Sequence, residues 1–265
     1  YAPDQDGNFY RELNIVEGNF PRLAWWGICG IDLLEKRLRE VRPYEKNPGE
    51  SEKVYWEFVH KICDAVTAKR FPEKELREAK EAFRRVPVTP HGGRPIIGVV
   101  GEIYVRSNRF SNENMVKKLE ALGAEVRMPT IGEWIYYTNF CNKRKTWARG
   151  QYSDFLRTIA SDFVQRKDEK KMESIINGDM RSGHEPPVKE IIDRAAPYIH
   201  DSFEGEAVLS VGKSLDYIAH GCHGIVNAMP FTCMPGTIVN AVLKRLRENN
   251  QNIPYLHMVY EGAED

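Results

Sequence analysis

The sequence predicts an α/β protein: a parallel sheet flanked by helices, with an extra helical region before it. Three observations lead there. From residue 94 onward, short apolar runs alternate with helically spaced segments, the grammar of a parallel sheet buried under its crossover helices. Before that point the apolar residues recur at helical spacing, and Pro87, Pro90, Gly92 and Gly93 separate the two grammars. This divides the chain into a mainly helical region, 1–93, and an α/β domain, 94–265. Finally, 265 residues with 42% hydrophobic and 29% charged content can bury a core and exclude a disordered or fibrous chain.

Each element has its own warrant. Residues 1–21 are polar and rich in turn formers (Pro3, Gly7, Gly18, Pro21), an extended lead-in. Residues 22–41 carry Leu23, Trp26, Ile31, Leu34 and Leu38 at helical spacing. Gly27 and Gly30 cost that helix about 1 kcal/mol each relative to Ala, which implies close packing around Trp25, Trp26 and Cys29. Pro43 ends it. Residues 51–70 form an amphipathic helix, and Pro72 opens another over 73–85. Residues 95–101 read as a buried strand. Ser111 caps a helix over 112–122 that stops at Gly123. Residues 124–128 are a second strand. Helices follow over 131–147, 151–177, 186–199 and 205–219. A strand over 225–229, a helix over 237–248 and a strand over 253–260 complete the order. The chain has no initiator Met and stops straight after a strand-like run, so it reads as a piece of a longer polypeptide or a mature chain trimmed at both ends.

Charge narrows the function classes. Lys plus Arg equals Asp plus Glu at 38 each, which gives no support for bulk nucleic-acid binding. Five cysteines without a CxxC pair (Cys29, Cys63, Cys141, Cys222, Cys233) do not form a secreted disulfide framework and point to a reducing, cytoplasmic compartment. From Tyr217 to Leu243 there is no Lys, Arg, Asp or Glu over 27 residues. Pro230, Pro235 and three glycines interrupt the run, so it reads as strand, loop and helix start rather than a membrane span.

Two strand ends carry unusual residues, and ligands of open α/β sheets bind beyond such ends. After the first come Glu102, Tyr104, Arg106 and Asn108, able to present an acid, a hydroxyl and an anion clamp to one crevice. A solvated loop would use the same residue types. After the later strand, Cys233 precedes a helix. A helix N-terminus favours a thiolate, as nucleophile or iron–sulfur ligand; a small packing residue is the plainer reading. His220, Cys222 and His223 lack the second ligand pair of a zinc site and fit a helix C-terminus leading into a strand. The basic knot Lys143, Arg144, Lys145 and Arg149 suits either phosphates or a solvated helix face. No Walker A motif is present, and Gly98-x-x-Gly101 does not match GxGxxG.

Several longer runs carry a resemblance. They are RPYE (42–45), GEIYVRSNRFSNENMVKKLEALGAEV (101–126), Glu133-Trp134, GIVNAMPFTCMPGTIVNAVLKRL (224–246) and IPYLHMVYEG (253–262). Together they resemble the CoA-substrate-specific enzyme activase-associated proteins, related to the 2-hydroxyacyl-CoA dehydratase and benzoyl-CoA reductase superfamily. The resemblance covers most of residues 22–265. It implies a flavodoxin-like α/β domain with extra helices and a [4Fe–4S] cluster held by cysteines near strand ends. It also implies low-potential electrons from a separate or fused ATPase activator, an acyl-CoA type of substrate and an anaerobic setting. Cys233 falls where the family's C-terminal cluster cysteine lies. Glu102 and Tyr104 become candidate catalytic groups, and Arg106 and Asn108 candidate substrate contacts. The other cysteines make no obvious ligand set with Cys233, and the ATPase portion is absent. The resulting expectation is an electron-transfer component, part of a dehydratase- or reductase-like protein. The alternative is a non-redox scaffold domain that docks the ATPase or a partner subunit.

Overall fold

A computed structural model describes residues 20–176, 178–182 and 185–262. Three helices come first: α1 (Phe20–Val41), α2 (Glu50–Thr67) and α3 (Glu73–Arg85). Then follow β1 (Ile96–Gly101), α4 (Ile103–Ser107), α5 (Met115–Ala121) and β2 (Glu125–Arg127). Two long helices, α6 (Ile131–Ala148) and α7 (Tyr152–Ile176), lead to α8 (Val188–Ala195) and α9 (Gly205–Ala219). The chain closes with β3 (Gly224–Pro230), α10 (Met234–Asn249) and β4 (Tyr255–Tyr260). The lead-in expected over 1–21 lies outside the described residues up to 19, and Phe20 and Pro21 already open α1.

All four strands are parallel, in the order β2-β1-β3-β4. This is the flavodoxin-like arrangement, in which the chain reverses its direction of travel between β1 and β3. Side chains alternate across the sheet. Val99, Val126, Val226 and Ala228 point to one face, under Val105 and Met115 at α4 and α5. Val100 and Ile225 point to the other, under Tyr217, Val239 and Leu243 of α9 and α10. On that side the apolar core continues without a break through Tyr136 and Met172 of α6 and α7 to Trp25, Leu34 and Leu38 of α1. The change of grammar near residue 93 therefore does not interrupt the hydrophobic core.

Local chemistry explains the close contacts. A Cβ on Gly30 would meet Ile62 Cδ1 at 3.1 Å, so the missing side chain lets α1 and α2 approach. Thr130 accepts from the Glu133 amide (3.2 Å), and the Asp32 carboxylate accepts from the Ile131 and Gly132 amides (3.1 and 2.9 Å). Together they satisfy the orphan N–H groups that open α6.

One expected boundary needs correction. The helix expected over 112–122 starts at Met115, and Ser111 does not cap it; a short helix not expected from the sequence, α4, precedes it. Asn108 Oδ1 accepts from the Phe110 and Ser111 amides, both at 3.0 Å, closing a side-chain turn there. Asn112 donates to the carbonyls of Val105 and Arg106. Glu113 and Asn114 then take left-handed backbone (φ +50° and +57°) before the helix begins. Among the described residues, no helix is long and apolar enough to cross a membrane.

Candidate functional site

The carboxyl ends of β1 and β3 meet at the reversal point. Gly101 has φ +119°, and a Cβ there would lie 2.0 Å from the Ala228 carbonyl oxygen. The next amide, Glu102, donates to that same oxygen at 2.9 Å. Glycine therefore lets the chain leave β1 against β3 and start α4 at once.

The residues read as site candidates all stand near these strand ends, with separate tasks. Glu102 is the N-cap of α4, and its carboxylate accepts from the Val105 amide at 2.7 Å. Tyr104 is exposed, and its hydroxyl accepts from Asn108 Nδ2 at 2.9 Å. Asn108 spends its other side-chain atom on the turn described above. Arg106 turns inward and is buried, with Nε lacking a hydrogen-bond partner among the described residues. It lines a small cavity with Arg42, Arg109 and Asn112. Cys233 is half-buried at the N-cap of α10, its carbonyl accepting from the amide and hydroxyl of Thr237 (3.0 and 2.9 Å). Beside it is an open depression of about 530 Å³ between β3, β4 and α10, lined by Phe231, Thr232, Thr237 and His257. None of the five candidate residues lines that depression.

The two remaining motifs resolve into structure. His220 is the C-cap of α9, with Nδ1 2.8 Å from the Asp216 carbonyl oxygen, and Gly221 follows in left-handed conformation. His223 Nδ1 accepts from the Ile96 amide at 3.1 Å where β3 begins beside β1. The basic knot is largely paired: Lys143 with Asp162, Arg144 with Asp201 and Glu204, Lys145 with Glu204.

A second polar centre has no local motif in the sequence. A cavity of about 410 Å³ lies between α1, β2, α9, Ser182 and residues 185–190. Lys36, Arg127, Glu185, Lys213, Asp216 and Tyr217 are among its lining residues. Lys213 is 1% exposed, with Nζ 3.1 Å from Glu133 and 3.7 Å from Asp216, and it also bonds Glu185. Burial alone would lower its pKa, but the carboxylates of Glu133 and Glu185 hold it well above the ordinary value. Burial likewise works to raise Glu185, yet Lys213 and Lys36 outweigh it and bring that carboxyl down to about 2. Glu133 is pushed up by burial despite Lys213. Such an assembly of opposed charges holds a fixed arrangement of donors and acceptors beside a cavity, a common feature of binding sites. Its members come from positions 36 to 217 and meet only in the fold. A Lys on the apolar helix 205–219 was the single visible sign.

Fold and site thus define a flavodoxin-like α/β domain with a cysteine at its strand-end crevice and a charged cavity on one flank. No family model, no curated protein and no solved structure matches the chain.

Proposed function

We propose that this chain is one component of an iron–sulfur-dependent, 2-hydroxyacyl-CoA dehydratase-like system, and that it offers Cys233 at a surface completed by other polypeptide. The observation that carries this reading is the placement of Cys233. It is partly accessible, follows β3 and opens α10 beside the reversal point where flavodoxin-like sheets bind their ligands. The resemblance of residues 101–126 and 224–246 to that group supports it. So do the exposed apolar residues around the strand ends, Tyr104, Phe110, Phe231 and Met234, because large exposed apolar groups mark surfaces that others cover.

A complete cluster does not fit within the described residues. They hold no group of three or more His, Cys, Asp or Glu able to bind a metal ion. Cys29, Cys141 and Cys222 are buried, the last where the chain enters β3, at the far end of the strand from Cys233. The contribution assigned to this chain is therefore one thiol and the surface around it. Glu102 acts by holding α4, and Asn108 by fixing the turn that follows. Under this reading the partners are an ATPase activator and an acyl-CoA substrate, in a reducing cytoplasm without oxygen. Five unpaired cysteines suit that compartment.

A second reading is a non-redox scaffold domain for the ATPase or a partner subunit. The missing ligand set favours it. One experiment separates the two. The full-length protein is purified without oxygen, and its iron content and cluster absorbance are compared with those of Cys233→Ser. Lower iron in the variant supports the cluster reading. Unchanged iron, or no iron in either protein, rejects it and leaves the scaffold.

A further inference from the structure

We propose that the outer face of α7 is a docking surface for an acidic amphipathic helix from another polypeptide. Tyr152, Leu156, Ile159 and Phe163 are spaced four, three and four residues apart, which places them in one row along the helix. They are 59%, 63%, 41% and 68% exposed. The row is about 17 Å long at the α-helical rise. Trp147, at the end of α6, extends it: its ring lies 5.6 Å from that of Tyr152 and is itself largely exposed.

The fold does not need this face. α7 packs inward through Asp162, Asp168, Met172 and Ile175, none of which belongs to the outer row. Scattered exposed apolar residues need no explanation, but a continuous row of large ones does. Its four-three-four spacing is the seam by which one helix pairs with another.

Charge selects the occupant. Elsewhere on α6 and α7 the cations are matched: Lys143 and Arg166 with Asp162, Lys145 with Glu204, Lys171 with Glu73. Arg149, Arg157, Lys167 and Lys170, around and beyond the row, have no ion pair among the described residues. Lys167 and Lys170 continue the face of the row itself, one and two turns past Phe163. Of the carboxylates on α7, Asp154 is exposed, Asp162 and Asp168 are held in ion pairs with Arg166 and Arg22, and Glu169 and Glu173 are half-buried, Glu169 accepting from the Tyr136 hydroxyl, so the four exposed cations outweigh the exposed carboxylates. Two copies meeting through this face would bring the cations together, whereas a helix with carboxylates beside its apolar seam would complement them.

The test uses two labelled 21-residue helical peptides with the same Leu/Ile seam at four-three-four spacing, one flanked by Glu and one by Lys. Fluorescence anisotropy against this chain should show the Glu-flanked peptide binding at least about tenfold tighter, by charge complementarity. The gap should narrow in 1 M salt, where the Debye length is about 3 Å. Leu156→Asp with Phe163→Asp should abolish binding and leave the melting temperature unchanged, since both side chains are exposed. Equal affinity for the two peptides, or no binding of either, overturns the proposal. So does self-association in sedimentation velocity that the double variant removes, which would assign the face to a second copy. Binding to phosphatidylcholine/phosphatidylglycerol vesicles that the double variant removes would assign it to a membrane and equally overturn it.

Discussion

Lys213 Nζ lies 3.1 Å from Glu133 Oε2 where α9 meets α6, with both side chains almost wholly removed from water. Breaking a buried pair by removing one partner is costly because the other charge is left stranded. Here Glu133, Glu185 and Asp216 all rely on the same ammonium. Lys213→Met is expected to lose about 3–5 kcal/mol of stability, measured by urea denaturation. Adding Glu133→Gln should recover part of the loss, because one stranded charge is then neutral.

Glu185 sets a low-pH slope. Its carboxyl falls from an ordinary 4.5 to about 2 because Lys213 and Lys36 outweigh its burial. The unfolded chain therefore binds more protons there than the folded chain between those values. The stability it contributes is fully present above about pH 4.5 and is lost as the pH falls toward 2. In Glu185→Gln, the melting temperature measured from pH 5 down to pH 2.5 should fall less steeply than in the parent.

Asp32 has the opposite sign. Burial raises its carboxyl from 3.8 to about 7, with the Gly132 and Ile131 amides pulling the other way. Folding then favours the protonated form. The stability linked to this group is fully present below about pH 4 and is lost as the pH rises through about 7. Asp32→Asn keeps an acceptor for α6 and cannot ionise. Its stability between pH 4 and pH 8 should be flatter than that of the parent, and an unchanged slope would show that Asp32 is not the group responsible.

Most of the order of elements was legible because it rests on local periodicity, but the five-residue helix α4, too short to show a period, was not. The apolar strands 96–101 and 224–230 and the helix 73–85 follow from spacing and from proline and glycine placement. The 108–114 turn was not, because Ser, Asn and Asn all make good caps. Which one serves was decided by the carbonyls of Val105 and Arg106, available to Asn112 only after α4 had formed. The strand-end position of Glu102 and Cys233 was legible for the same reason as the strands. What their side chains touch was not. Arg106 turns inward and Glu102 caps its own helix, choices set by packing that no spacing encodes. The Lys213 cluster lay still deeper, since Lys36, Glu133, Glu185 and Lys213 share no sequence neighbourhood.

The thiols should divide into two classes. Cys63 is exposed and Cys233 half-buried, while Cys29, Cys141 and Cys222 are buried. Burial also pushes the last three thiols upward, Cys222 to about 11. The thiolate is the reactive form, so these three are both hidden and protonated at pH 8. Titration of the native chain with an aromatic disulfide should release about two equivalents quickly, and five in denaturant. A third rapid thiol in the native chain would contradict the packing around α1, α6 and β3.

Gly101 decides whether the strand ends can form a crevice at all. Its φ of +119° is one that L side chains rarely adopt, and a Cβ would lie 2.0 Å from the Ala228 carbonyl oxygen. That neighbour is backbone of β3, held in the sheet by pairing on both sides, so it cannot move aside as a flexible side chain would. Gly101→Ala must therefore push β1 from β3, losing the Glu102 amide bond to the same oxygen, or rebuild the start of α4. Backbone strain and overpacking each cost about 1–3 kcal/mol, so a loss of roughly 3 kcal/mol or more is expected in denaturant unfolding. Gly27→Ala is the control. That position has open space around its Cβ and lies inside α1, where Ala is the better helix former by about 1 kcal/mol. It should leave stability unchanged or raise it. Equal behaviour of the two variants would mean that the approach of β1 to β3 at the reversal point is not as close as the structure has it.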